Sequence, residues 1–295
     1  MSPHLRILRP APGVLAFYEG RDGNRHAEGP NWVDDGAISL GIASYALVDG
    51  AEALVYDTHV SVRRGRLIRE AVEAEGAREI AVALSHWHLD HVAGTEAFAD
   101  CEVISTERTA EHLRRRREAI EAGTLEGPPG ISPLVLPTRT FSGRLELRIG
   151  GTPLELLEVD VHSDDAAVLW LPETRTLLAA DTVEDTVTYV GEPRGFPNHL
   201  RDLDRLLALE PAAVLPAHGD PEVIAGGGYG PGLLRGTQEY IRFLRRLRDE
   251  PELREEPLAE LLAPALEAGW VRYYEPYEAV HRENVATVLG EAGRD

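Results

Sequence analysis

Hydrophobic positions fall into two rhythms along this chain. Near its start, Gly13–Tyr18, Ala37–Val48 and Ala53–Asp57 carry the β-branched and aromatic residues of strands. Asp22-Gly23, Asp34-Asp35-Gly36 and Asp49-Gly50 separate them as turns, and Asp49-Gly50 is the kind of pair that closes a two-residue hairpin. Val62–Glu75 changes to helical spacing. A strand is then predicted at Glu79–Ser85, a short helix at Thr95–Phe98, a strand at Glu102–Ser105 and a helix over Thr106–Ala122. Gly127–Pro137 is rich in Pro and Gly and reads as loop. Further strands are predicted at Arg144–Ile149, Leu154–Val159, Ala166–Leu171, Thr176–Ala180 and Ala213–Pro216, with a helix over Leu200–Ala208.

The character changes at Gly226-Gly227-Gly228, a triplet that lacks the Gly-Lys-Ser/Thr of a phosphate loop and reads as a hinge. After it the pattern is helical, at Leu233–Asp249, Leu253–Ala268 and Tyr277–Leu289. No repeat occurs at solenoid periods. Two batches of strands with helices interspersed predict two sheets faced by helices, an α/β (α+β) arrangement. The expected division is a catalytic domain at 1–225 and a helical extension at 226–295 packed on it. Ile241, Leu244 and Leu247 would dock that extension, and a homodimer through the same helices stays open.

Composition narrows the class. Of 295 residues, 43% are hydrophobic and 27% charged, an ordinary balance for a globular chain with a sizeable core. The net charge is −20, and every one of the 30 basic residues is Arg. Such a chain repels nucleic acid and anionic membranes at long range, so neither is an expected partner; a small-molecule substrate is. Cys101 stands alone, which fits a reducing compartment. The opening residues lack a charged segment followed by a sustained apolar core, and no run reaches the ~20 apolar residues of a membrane helix. A soluble, cytoplasmic protein is expected.

The chemistry concentrates in Ser85-His86-Trp87-His88-Leu89-Asp90-His91, directly after a predicted strand. Imidazole and carboxylate suit zinc, iron or manganese. His86 and His88 are two apart, so extended backbone points them the same way, whereas Asp90 and His91 need a turn before both can aim inward. His162, Asp181 and His218 each stand at the C-terminal end of a predicted apolar strand, where rigid sheets display reactive groups. That repetition is what one site at one sheet edge would produce.

With HWHLDH at 86–91, VHSDD at 161–165, LLAADT at 177–182 and PAHGD at 216–220, the chain resembles the metallo-β-lactamase superfamily over roughly residues 13–224. The resemblance implies a four-layer αββα sandwich with two divalent metal ions at one edge, zinc first and iron or manganese as alternatives. His86, His88 and His162 would hold one ion, Asp90, His91 and His218 the other, and Asp181 would bridge them. Asp90 would also act in catalysis, orienting a hydroxide shared by the ions and moving its proton. The bridging Asp181 is similar to that of the glyoxalase II, lactonase and phosphodiesterase branches and disfavours β-lactam hydrolysis as the main activity. Glu184 stands where the lactonases usually carry Tyr. The expected reaction is hydrolysis of an ester, thioester or lactone; an iron-dependent sulfur dioxygenase or a phosphodiesterase is the alternative.

Other residues carry lesser expectations. Asp57 has two readings of equal weight, a hydrogen-bond acceptor behind a ligand histidine and a turn cap. His59 is expected in an exposed loop and Arg114–Arg117 on a solvated helix face. Glu184, Asp185, Tyr189 and His199 are candidates to line the pocket, and Trp32 and Phe17 for an apolar wall or the core. His281 and Asn284 on the last helix are expected to pack or cap.

Overall fold

A computed structural model describes residues 4–290. Its elements, in chain order, are β1 (Arg6–Ala11), β2 (Val14–Glu19), β3 (Ile42–Asp49), β4 (Glu52–Tyr56), α1 (Val62–Ala74), β5 (Glu79–Ala83), α2 (Leu89–Val92), β6 (Glu102–Thr106) and α3 (Glu107–Ala122). Then come β7 (Arg139–Phe141), β8 (Arg144–Ile149), β9 (Thr152–Glu158), β10 (Ala167–Leu171), β11 (Thr176–Ala180), α4 (Phe196–Leu207), β12 (Ala213–Pro216) and α5 (Pro221–Ala225). The last stretch holds α6 (Gly232–Arg246), α7 (Leu258–Leu261), α8 (Ala263–Glu267) and α9 (Tyr277–Leu289).

Strands β1 to β7 form one sheet in sequence order, and the second runs β12-β11-β10-β9-β8. Every residue of β2, β10 and β11 is buried, and apart from Glu19 and Thr176 these central strands read as apolar runs. Edge strand β8 alternates exposed and covered positions instead. Helix α1 buries Arg64, Ile68 and Val72, and α4 buries Phe196, His199, Leu203 and Leu206. Both sets follow the spacing of one helix face. The result is the αββα sandwich, with the core between the two sheets and under the helices.

Several boundaries depart from the sequence reading. Residues 37–41 do not begin a strand; Val33–Ile38 is a wide helical turn. Local polar bonds win over β-propensity there. Asn31 Oδ1 accepts from Asp34 N (2.9 Å), and Asp35 Oδ2 accepts from Asn31 N (2.9 Å). Gly41, at φ +76° and with Tyr18 Oη 2.0 Å from where a Cβ would stand, then admits the chain to β3. The helix expected over Leu253–Ala268 is broken into short pieces, because Pro257 and Pro264 each remove a backbone donor. Strands β1 and β7 were not foreseen. The Asp49-Gly50 hairpin is present, with Asp49 opposite Glu52. Asp49 Oδ2 also accepts from the backbone of Gly151 (2.9 Å) and Thr152 (3.1 Å), tying the two sheets together. No helix among the described residues is long and apolar enough to cross a membrane.

Candidate metal centre

Three loops and the turn α2 bring the predicted residues to one point. After β5 the chain bends at Ser85 and again at Trp87, and His88, in extended backbone, then starts α2. That single helical turn is what aims Asp90 and His91 to the same side as the two histidines. The tight exit from it depends on Gly94: a Cβ there would stand 1.9 Å from the Thr58 carbonyl oxygen. His162 follows β9, Asp181 ends β11 and His218 follows β12.

The nitrogens converge. His86 Nε2 and His162 Nε2 each lie 2.9 Å from His88 Nδ1. Asp181 Oδ2 lies 3.1 Å from His91 Nε2, 3.5 Å from His218 Nε2, 3.6 Å from His162 Nε2 and 3.7 Å from His86 Nε2. Asp90 Oδ2 is 3.2 Å from His218 Nε2. Two groups able to hold a metal ion result, His86/His88/His162/Asp181 and Asp90/His91/Asp181/His218, with Asp181 common to both. The donor set fits divalent metal: Asp181 Oδ1 is buried with no hydrogen-bond partner, a costly state for a carboxylate oxygen without a cation.

Outer partners fix most of the rings. Ser85 Oγ meets His86 Nδ1 (2.9 Å), Asp57 Oδ2 meets His91 Nδ1 (2.8 Å), the Tyr189 carbonyl meets His162 Nδ1 (3.1 Å) and the Gly41 carbonyl meets His218 Nδ1 (2.7 Å). An acceptor on the outer nitrogen leaves the inner one free as a ligand. Asp57 is therefore the acceptor behind His91, and its Oδ1 takes Ser85 N (2.7 Å) as well. Asp57, His59, His162 and Ala180 all hold left-handed backbone (φ 45–69°) without being glycine. Each such residue costs about 1–3 kcal/mol, so the surrounding packing holds the site in a conformation the chain alone would avoid.

The cluster divides electrostatically. Burial, reinforced by the neighbouring histidines, pulls His86 well below the ordinary imidazole value and His88 to about 3. Burial also opposes charge on His91 and His218, but Asp181 and its fellow carboxylates win and hold both well above that value. Burial would raise Asp181 and Asp90, yet His91 and His218 hold Asp181 well below its usual range and bring Asp90 to about 2. One half of the centre thus disfavours charge on its imidazoles, while the other favours opposite charges on its imidazoles and carboxylates.

The site opens into a cavity of about 920 Å³. Trp32, Leu40, Trp87 and Tyr189 give it apolar walls, and Pro276 and Val280 of the C-terminal helical region close one side. Of the pocket candidates, Glu184 and Tyr189 line it, whereas Asp185 and His199 do not. Asp185 instead accepts from Tyr229 Oη (2.6 Å) and Arg272 N (2.6 Å), and His199 faces Asp160 at 3.5 Å. Trp32 belongs to the wall, with its Nε1 donating to the Pro129 carbonyl (2.9 Å), while Phe17 is core.

Two expectations need correcting. His59 is 0% exposed. Its left-handed backbone turns it under the metal loop, where its carbonyl accepts from Gly94 N (3.1 Å), and neither ring nitrogen has a hydrogen-bond partner. Burial brings it down to about 4, against the pull of Glu19. The Arg114–Arg117 run is solvated except at Arg116, which turns into the cavity and stacks over Trp87 at 4.3 Å. His281 and Asn284 do pack as expected: His281 Nδ1 bonds Tyr240 Oη (2.9 Å), and Asn284 accepts from Val190 N (2.7 Å) and donates to the Thr188 carbonyl (3.0 Å). The sequence reading missed Tyr277, whose hydroxyl donates to buried Glu184 (3.0 Å). Burial and Asp181 push that carboxyl up to about 7.

Fold and site together define an α/β sandwich protein with an imidazole–carboxylate centre able to hold metal at one sheet edge. Residues 39–218 match the family model described as the metallo-beta-lactamase superfamily, and the chain belongs to that superfamily. It is 24% identical to a linear primary-alkylsulfatase of Pseudomonas sp. over 82% of this chain and 54% of that protein. It is also 24% identical to a beta-lactamase-like protein 2 homolog of Caenorhabditis elegans, over 61% of this chain and 56% of that protein. The chain thus spans about half the length of the curated relatives it matches. Among solved structures, a metallo-beta-lactamase from Pontibacter korlensis aligns with a TM-score of 0.62 at 18% identity, over 81% of this chain and 99% of that one. DIM-1 metallo-beta-lactamase aligns at 0.60 and 19%, over 82% and 98%. At such identities these likenesses show the fold.

Proposed function

We propose that the protein is a two-metal hydrolase acting on an ester, thioester or lactone of a small molecule. The observation that carries this reading is the position of Asp181, one of whose oxygens lies within 3.7 Å of four ligand-type histidine nitrogens. His86, His88 and His162 would hold one divalent ion, Asp90, His91 and His218 the second, and Asp181 both; zinc is the first candidate, with iron and manganese sharing the ligand chemistry. Such ions, when bound, supply Lewis acidity and bring the pKa of water from 15.7 to about 7.

The chain's own residues do the rest. Asp90 is the ligand carboxylate with most access to the cavity, its side chain 16% exposed, and it accepts the proton of the attacking water and passes it on. Glu184, taking hydrogen bonds from Tyr277 Oη, Thr188 Oγ1 and Tyr189 N, fixes the segment whose Tyr189 carbonyl orients His162. Trp32, Leu40 and Val280 exclude water from the bond to be cut and receive the apolar part of the substrate. A second reading is a sulfuric ester of an alcohol; its support is the similarity to the alkylsulfatase together with these apolar walls.

Protein loaded with zinc and with manganese should bind two ions per chain and cleave at least one member of a panel of carboxylic esters, thioesters, lactones, phosphodiesters, alkyl sulfates and β-lactams. Asp181→Ala should lower both occupancy and turnover. Unchanged metal content and rate in that variant, or a single redox-active iron with thiol-dependent oxygen uptake in the native chain, would overturn the reading.

A further inference from the structure

Arg116 stands apart from the run that contains it. Arg114 and Arg115 pair with Glu111 (2.6 and 2.5 Å), and Arg117 pairs with Glu121 (3.1 Å), all on the outer face of α3. Arg116 has no carboxylate oxygen within 4.0 Å among the described residues, in a chain with 50 acidic side chains and 30 basic ones. Among the described residues its one hydrogen bond runs from Nη1 to His112 Nδ1 (2.6 Å). An arginine N–H can only donate, so Nδ1 accepts and His112 Nε2 carries the hydrogen given to Asp164 Oδ1 (2.7 Å). Asp164 lies two residues beyond ligand His162, and Trp87, under the guanidinium, lies between ligands His86 and His88.

This is a built support. The chain Asp164–His112–Arg116 fixes one corner of the guanidinium, and stacking on Trp87 fixes its plane. The edge formed by Nε and Nη2 has no partner among the described residues, and that edge matches a carboxylate by two parallel N–H···O bonds. A fork already fixed in place costs little ordering entropy when a ligand arrives. Glu126 also lines the cavity and feels both Arg116 and Asp90, but bonds to neither.

We propose that Arg116 is the specificity residue of this pocket and that the substrate carries a carboxylate, held by the guanidinium while the bond to be cut lies at the ligand cluster. His112 is its positioning residue. This inference rests on the hydrolase reading for the word substrate alone; the binding of a carboxylate at Arg116 is testable without turnover.

Calorimetry on zinc-loaded protein should use two diacids, succinate and glutarate, each beside its monoamide. The monoamide keeps one carboxylate for the metal centre and replaces the other by a neutral group of the same shape. The native protein should bind at least one diacid tenfold or more tightly than its monoamide. Arg116→Met should reduce that ratio to within twofold, Arg116→Lys should keep part of it, and His112→Leu should lower it without changing monoamide affinity. Zinc content and melting temperature of each variant establish that the fold is kept. No diacid preference in the native protein, or a preference that survives in Arg116→Met, overturns the proposal. If the preference follows Arg116 while the protein cleaves nothing in the ester panel, the hydrolase reading fails and this one stands; cleavage without the preference gives the reverse.

Discussion

Asp57→Asn isolates one atom's contribution to the centre. The native carboxylate does two things: Oδ1 takes the Ser85 backbone N–H at 2.7 Å, and Oδ2 takes the proton on His91 Nδ1 at 2.8 Å. Asparagine keeps an oxygen for Ser85 but turns an NH₂ toward His91. The amide donates, so Nδ1 must accept, and the ring proton moves to Nε2, the atom 3.1 Å from Asp181 Oδ2 that would face the metal. Changes of this kind behind a metal ligand cost about 10–100-fold in affinity, or about 1.4–2.7 kcal/mol. The loss should fall on the ion that Asp90, His91 and His218 would hold, leaving the other within a few-fold. Competition against a chromogenic zinc chelator at constant pH resolves the two affinities. Asp57→Ala is the companion: it also strands the buried Ser85 N–H, at about 1–3 kcal/mol, so only this variant should lose that further amount in urea unfolding of metal-free protein. Two unchanged zinc affinities in Asp57→Asn, or equal weakening of both, would refute the tautomer argument.

Two further perturbations probe the scaffold. His59 is held near 4 in the fold, against about 6.5 in an unfolded chain, so the unfolded state binds the extra proton between those values. Metal-free protein should lose stability as pH falls from about 6.5 to 4, by up to about 1.4 kcal/mol per pH unit from this residue, and His59→Leu should flatten the urea-midpoint profile over that window; parallel profiles would be the contrary result. Gly94→Ala would set a Cβ 1.9 Å from the Thr58 carbonyl oxygen, whereas Gly36→Ala meets nothing within 4 Å. The first should cost about 1–3 kcal/mol or more and weaken zinc binding, the second almost nothing, as chemical denaturation and zinc titration of the pair would record.

The clustering of the seven candidate side chains was legible in the sequence because each segment that carries them follows an apolar strand, a pattern fixed by local order. Strands β8, β11 and β12 and helix α9 were readable to the residue for the same reason. What could not be read is what tertiary contact decides. His59 looks like any loop histidine until the left-handed turn at Asp57 buries it. Arg116 looks like its three neighbours until the cavity is seen to lie on its side of α3. The turn at 33–38 was misread because bonds among Asn31, Asp34 and Asp35 override the β-branched residues that follow. Glu184 and Tyr277 are 93 residues apart, and no periodicity links them.

The hold of Asn284 on residues 188–190 sets an order of events during synthesis. All seven candidate ligand side chains have been made once His218 leaves the ribosome, yet the Tyr189 carbonyl that steadies His162 is pinned by a side chain translated 66 residues later. A nascent chain can therefore gather its histidines early, but it acquires the finished alignment of His162 only when α9 has emerged and docked.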